Sequence, residues 1–212
     1  MKKIVILISG RGSNMEAIVR VAKKEAWSAQ IAAVISNRAD AAGLRIAQDF
    51  GIETAVVPSK GFTREDFDRR LMEVIDGYNP DLVVLAGFMR ILTEEFVIHY
   101  KGRLLNIHPS LLPGFRGLHT HKQALDAGVK VHGATVHFVD VKLDDGPIII
   151  QAVVPVLSDD TEDTLAQRVL SLEHIIFPRA VRWFVEEKIS EENGKVVAAP
   201  ECETFVFYEG GQ

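Results

Sequence analysis

One cysteine, Cys202, stands in 212 residues, which excludes an intrachain disulfide and any metal centre built on several thiolates, and suits a reducing compartment. Runs of five or more Lys or Arg are absent, and 24 basic against 29 acidic residues leave a net charge of −5. A sequence-independent grip on nucleic acid works by neutralising many phosphates, so none is expected. One small anion still needs only a few donors. Long apolar runs are missing too: the stretch 82–89 is closed by Arg90, far short of the ~18 residues of a membrane helix. The apolar stretch 4–8 behind Met1-Lys2-Lys3 is too short for a signal peptide and stops at Ser9-Gly10-Arg11-Gly12. These absences predict a cytoplasmic protein with no nucleic-acid or membrane partner. Repeats, low-complexity tracts and linkers rich in Pro, Gly or Ser are also lacking. The whole of 1–212, 47% hydrophobic, therefore reads as a single domain.

Strand-like and helix-like segments alternate through the first half, the pattern of βαβ units and a mostly parallel, open α/β sheet with helices on both faces. Strands are predicted at 3–9, 30–36, 54–57, 81–86 and 103–108. Helices are predicted at 14–25, 41–50, 63–78 and 93–100, with Thr63 capping the third and Asn79-Pro80 ending it. The second half changes character. Two long β-type runs, 130–139 and 147–156, are joined by the turn Asp144-Asp145-Gly146 and predict an antiparallel hairpin. Thr161 opens a long helix to about residue 187, with Glu162 and Asp163 in its first turn and a kink expected at Pro178. Short strands and a loose tail are expected from 191 to 212.

Between the first strand and first helix lies Ser9-Gly10-Arg11-Gly12-Ser13-Asn14, where glycines let the backbone turn and aim N–H groups at an anion. A dinucleotide fingerprint would place a third glycine at 15 and an acid at the end of the second strand; Met15 and Ser36-Asn37-Arg38 stand there instead. A phosphate monoester on Gly12, Ser13 and Asn14 needs neither. The competing reading is a tight turn capped by Ser13 or Asn14.

Asn106 and His108 are two apart on an extended segment held by Pro109, so they share a face at a strand's carboxyl end, where open α/β sheets bind ligands. An amide N–H and a charged imidazole aimed at one point stabilise an oxyanion, and the imidazole also moves protons. A structural strand-end pair is the alternative. Asp144 reaches this imidazole only if its turn folds over the sheet end, where a carboxylate would orient the ring and favour its charged form. Arg64 and Glu173 read on their own as surface charges. No metal is expected, because the histidines lack the spacing of a helical zinc site and no cysteine lies close in sequence.

The stretch Leu104-Leu105-Asn106-Ile107-His108-Pro109-Ser110-Leu111-Leu112-Pro113 resembles the folate-dependent formyltransferases. Segments 8–14, 84–92, 132–139 and 144–147 resemble them as well, so the likeness spans nearly the whole chain. It implies that 10-formyltetrahydrofolate, as co-substrate, gives its formyl group to the amine of 5'-phosphoribosylglycinamide in de novo purine biosynthesis. Neither a metal nor a nicotinamide takes part. By the same matching Asn106, His108 and Asp144 are catalytic, and Gly12, Ser13, Asn14 and Glu173 bind the ribonucleotide. Arg64, Met89, Arg90, Ile91, Leu92, Asn106, Asp140, Val141, Lys142, Leu143 and Asp144 bind the folate, with Phe88 and Leu104 as further apolar walls. Asp145, where the family commonly has glycine, and Gly114-Phe115-Arg116 depart from the pattern. The partners implied are these small molecules, acting on a monomer or homodimer. A formylfolate hydrolase, a formyltransferase for another amine and a non-catalytic binding module are the alternatives. A transfer-RNA formyltransferase would be expected to carry a further C-terminal domain.

Overall fold

Parallel strands covered by helices must be apolar on both faces, and the segment Ile4-Val5-Ile6-Leu7-Ile8 has no accessible surface at all. It forms most of β1 (Lys2–Ile8) in a computed structural model that describes residues 1–210. The chain divides into two units, Met1–Asn106 and Ile107–Gln212.

In the first unit β1 is followed by α1 (Ser13–Lys24), β2 (Ala29–Ser36), α2 (Ala42–Asp49), β3 (Thr54–Val56), α3 (Arg64–Gly77), β4 (Leu82–Leu85), α4 (Glu94–His99) and the start of β5 (Leu104–His108). The strands pair in parallel in the order β5-β4-β1-β2-β3. Two crossovers thus run one way from β1 and one runs the other way from β4. Because such crossovers are right-handed, α1 and α2 lie on one face and α3 and α4 on the other; α1 indeed packs on α2 and α3 on α4. The reversal between β1 and β4 opens a crevice at their carboxyl ends, the standard ligand position in such sheets. Thr63 caps α3, its hydroxyl accepting from Asp66 N–H at 3.1 Å, as its place in the sequence predicts.

In the second unit the remainder of β5 leads to α5 (Thr120–Asp126), β6 (Val131–Phe138), β7 (Ile148–Pro155), α6 (Glu162–Val185), β8 (Ile189–Glu192), β9 (Lys195–Ala198) and β10 (Phe205–Phe207). β6 and β7 are antiparallel, β10 joins β7 in parallel, and β8 with β9 makes a separate hairpin. The fold class is therefore the expected mostly parallel α/β type with an antiparallel pair in the second half. The pair is not closed by a tight turn, however. Residues 139–147 form an extended loop, and a side chain at Gly146 would collide with the Phe138 carbonyl oxygen at 1.8 Å, so only glycine lets the loop close at its base. Helix α6 starts with a capping box between Thr161 and Thr164 and continues through the buried Pro178. The short helix α5 is absent from the sequence expectations. Of the expected tail, residues 211 and 212 lie outside the described residues.

Candidate active site

The glycine loop follows β1 directly. Gly12 is the N-cap of α1 with φ of 74°, and its carbonyl accepts the first helical bond from Glu16 N–H at 2.8 Å. A Cβ on Gly12 would stand 2.9 Å from Gly43 Cα, and one on Gly43 would stand 2.6 Å from Ile8 Cδ1. The two glycines therefore press backbone against backbone, and the Gly43 amide donates to Gly10 O at 3.0 Å. Close packing of α2, rather than a third glycine at 15, shapes this loop, and Met15 is simply core. The loop lines a cleft of about 440 Å³ together with Asn37, Arg38, Gly87, Met89 and Arg90. Arg38 is held by both oxygens of Asp40, at 3.0 and 2.7 Å. A cleft lined by a glycine loop at a helix N-terminus and by guanidinium groups suits an anion.

The segment after β4 leaves large apolar groups in water: Met89 is 71% and Ile91 61% exposed. Phe88 stacks on Phe67, and the Arg90 guanidinium lies 5.4 Å from the Phe67 ring centre. Arg64, exposed in the first turn of α3, lies 3.8 Å from Glu65. Leu104 is closed off in the core and offers no wall. Asn106, on β5 opposite Leu85 of β4, is half-buried.

In the second unit His108 is buried and both ring nitrogens face acceptors. Nδ1 stands 3.5 Å from Asp144 Oδ1, and Nε2 stands 3.0 Å from the Phe115 carbonyl oxygen. The other Asp144 oxygen accepts from Gly117 N–H at 2.9 Å. The charged ring would thus have an acceptor for each N–H. Phe115 and Asp144, which both contact the ring, have positive φ values of 52° and 49°. Outside glycine that conformation is costly, about 1–3 kcal/mol per residue, and tends to gather where function demands it. The loop after Pro109 is tied down behind the ring: Thr135 donates to Ser110 O at 2.7 Å and accepts from Leu112 N–H at 3.1 Å, while Gln151 donates to Leu112 O at 2.9 Å.

Asp145, where the resemblance expects glycine, instead pairs with Arg116, the other departure, so the two deviations meet. Asp140 is exposed and accepts from Val141 N–H at 2.7 Å, and Val141 and Leu143 present exposed apolar side chains on the same loop. Glu173 is buried at 7% exposure on α6, not on a solvated face, and a buried carboxylate needs partners. Two features escape sequence reasoning. One is the Phe115 carbonyl on His108, which no residue type announces. The other is the packed pair His121 and His132, ring centres 5.3 Å apart. Burial holds both imidazoles below their usual titration range, that of His132 at about 4.

Residues 2–181 match the sequence signature of the Formyl transferase family. The chain is 52% identical to phosphoribosylglycinamide formyltransferase of Escherichia coli K12 over 187 residues, 88% of either chain. Its fold is similar to the crystal structure of glycinamide ribonucleotide transformylase 1 from Symbiobacterium toebii, with a TM-score of 0.90, 44% identity and 94% of each chain covered. It is also similar to a formyltetrahydrofolate deformylase from Pseudomonas syringae pv. tomato, with a TM-score of 0.87 and 30% identity over 93% of this chain and 66% of that one. With its signature matched over most of its length and this identity to a full-length relative, the chain belongs to the formyl transferase family.

Proposed function

We propose that this enzyme moves the formyl group of 10-formyltetrahydrofolate to the amine of 5'-phosphoribosylglycinamide in purine biosynthesis. We further propose that the whole chain works as one cytoplasmic catalytic domain, as a monomer or homodimer. The observation that carries the reading is the buried His108–Asp144 pair, 3.5 Å apart, in a chain that also keeps a glycine loop fit for a phosphate. Gly12, Ser13 and Asn14 take the ribonucleotide phosphate, and Glu173 contacts the same substrate. Arg64, the segment 89–92 and the loop 140–144 take the folate, whose flat ring suits the exposed Met89 and Ile91 side chains.

In the step we propose, the neutral amine attacks the formyl carbon and forms a C–N bond, pushing charge onto the formyl oxygen. The Asn106 amide and the His108 imidazolium donate to that oxyanion. In doing so His108 Nε2–H exchanges the Phe115 carbonyl for that oxyanion. Asp144 remains beside Nδ1 and supports the charge. The proton lost by the attacking nitrogen passes to folate N10, by way of a water beside Asp144, as the C–N10 bond breaks. Release of tetrahydrofolate followed by absorbance tests the reading. Release that requires phosphoribosylglycinamide supports transfer, equal release without any amine identifies a hydrolase, and no turnover identifies a binding module.

A further inference from the structure

The segment that follows β4 is held at both ends by side chains from other elements, Ser9 and Asp68, and neither side chain is among those assigned above to a substrate. At one end the Met89 N–H donates to Ser9 Oγ at 2.8 Å. Ser9 is buried, and its own hydroxyl proton goes to Asn37 Oδ1 at 2.7 Å. Asn37 is oriented in turn, because its Nδ2 donates to Ser59 Oγ at 3.3 Å and its backbone carbonyl accepts from Ser59 N–H at 3.4 Å. A hydroxyl that must donate to Asn37 has its lone pairs left for Met89, so Asn37 sets the Ser9 rotor. The Ser9 backbone N–H also donates to Gly87 O at 3.2 Å. At the other end Thr93 N–H donates to Asp68 Oδ2 at 2.6 Å. Asp68, 1% exposed on α3, is too costly to bury as a bare charge without such work.

We infer that Ser9 and Asp68 are positioning residues that hold the segment 89–93 in its binding shape. We infer also that Ser9, one residue before the glycine loop, makes that segment respond to an anion on the loop. The inference rests on the assignment of 89–92 to folate made above. It differs from that assignment in naming positioning groups assigned to neither substrate, and in predicting that the two binding sites are coupled. The coupling has a physical path: a phosphate that draws the Gly10-Arg11-Gly12 backbone toward itself moves Ser9, and the Ser9 hydroxyl carries the Met89 amide with it.

Calorimetric titration of tetrahydrofolate, with and without saturating inorganic phosphate, tests this when combined with amide hydrogen exchange at Met89 and Thr93. In the wild-type protein phosphate should change folate affinity severalfold. Ser9→Ala should erase that response, speed Met89 exchange and raise the folate KM about tenfold, the scale of one lost buried hydrogen bond, with kcat little changed. Ser9→Thr, which keeps the hydroxyl, should restore much of both. Asp68→Ala should loosen Thr93 and weaken folate while the phosphate response persists. Should Ser9→Ala fail to fold, Asn37→Ala carries the same expectation at smaller amplitude. A wild-type protein indifferent to phosphate, or a folded Ser9→Ala protein with slow Met89 exchange and an intact phosphate response, would overturn the inference. Leu92→Asp separates the two layers: if it leaves folate affinity unchanged, the folate assignment fails while the exchange data still report on the two anchors.

Discussion

The glycine loop and the His108 cluster are built by opposite means. The loop is consecutive backbone, Gly10 to Asn14, shaped by one close approach of α2 and needing almost nothing from side chains. The cluster turns on two side chains from separate segments, His108 at the end of β5 and Asp144 from the loop between β6 and β7, joined by the backbone carbonyl of Phe115 and the backbone amide of Gly117. A backbone site is therefore written locally and breaks sterically. A side-chain site is written nowhere in particular and breaks chemically.

The largest effect should come from the chemical kind of damage. His108→Ala removes an oxyanion donor, which typically costs ~10²- to 10³-fold in turnover, while the protein stays folded. Asp144→Asn should cost less than that but still substantially, and the double variant should be little worse than the poorer single one, because groups acting as a unit do not contribute independently. Measuring kcat/KM for the four proteins checks this, and fully multiplicative losses would show that the two residues act apart.

Steric damage to the loop should be narrower in what it affects. Gly12→Val places a branched side chain at a φ of 74° and 2.9 Å from Gly43 Cα. Ribonucleotide binding should weaken by more than tenfold, with stability reduced by about 1–3 kcal/mol. Folate affinity should fall far less, and separate calorimetric titrations of the two ligands would reveal an equal loss if the loop served both.

Acid should separate the units further. Burial lowers the imidazoles of His121, His132 and His137, so the unfolded chain binds protons there that the folded chain refuses. Their contribution to stability is present above the usual 6.5 and is lost as pH falls; for His132 the window runs from 6.5 down to about 4. The slope approaches about 1.4 kcal/mol per pH unit for each such group. The first unit holds only one histidine, His99, which lies on its surface. Its Asp68 has the opposite sign, since burial raises that carboxyl above the usual 3.8 and its contribution grows as pH falls. Thermal unfolding from pH 7 to 4 should show the loss, and His132→Phe should flatten it. The smallest effect belongs to a helix end that carries none of the assigned site residues: Thr161→Ala breaks the capping box of α6 and should cost about 1 kcal/mol with kcat unchanged.

Legibility in the sequence follows the same division. The strand of five apolar residues at Ile4 to Ile8, the Thr63 and Thr161 caps and the glycine loop are all contiguous signals, and each is found where its residues predict. Helix α5 is short and lacks an apolar period long enough to read, and its N-cap is the left-handed His119, a residue with no capping side-chain bond. Asp144-Asp145-Gly146 has the composition of a tight turn, yet Gly146 closes a longer loop because the Phe138 carbonyl occupies the space a side chain would need.

What the sequence determined by itself is therefore everything set by neighbours along the chain: periodicity, caps, the loop's backbone freedom and the placing of Asn106 and His108 on one strand face. Only the tertiary structure decided that Glu173 is buried, that Arg116 meets Asp145, that the Phe115 carbonyl and Asp144 occupy the two nitrogens of His108, and that Ser9 carries the Met89 amide. Apart from the burial of Glu173, each of these is a hydrogen bond or ion pair between groups that meet only when the chain folds, and such pairs depend on register and loop path, which no local pattern of residue types encodes.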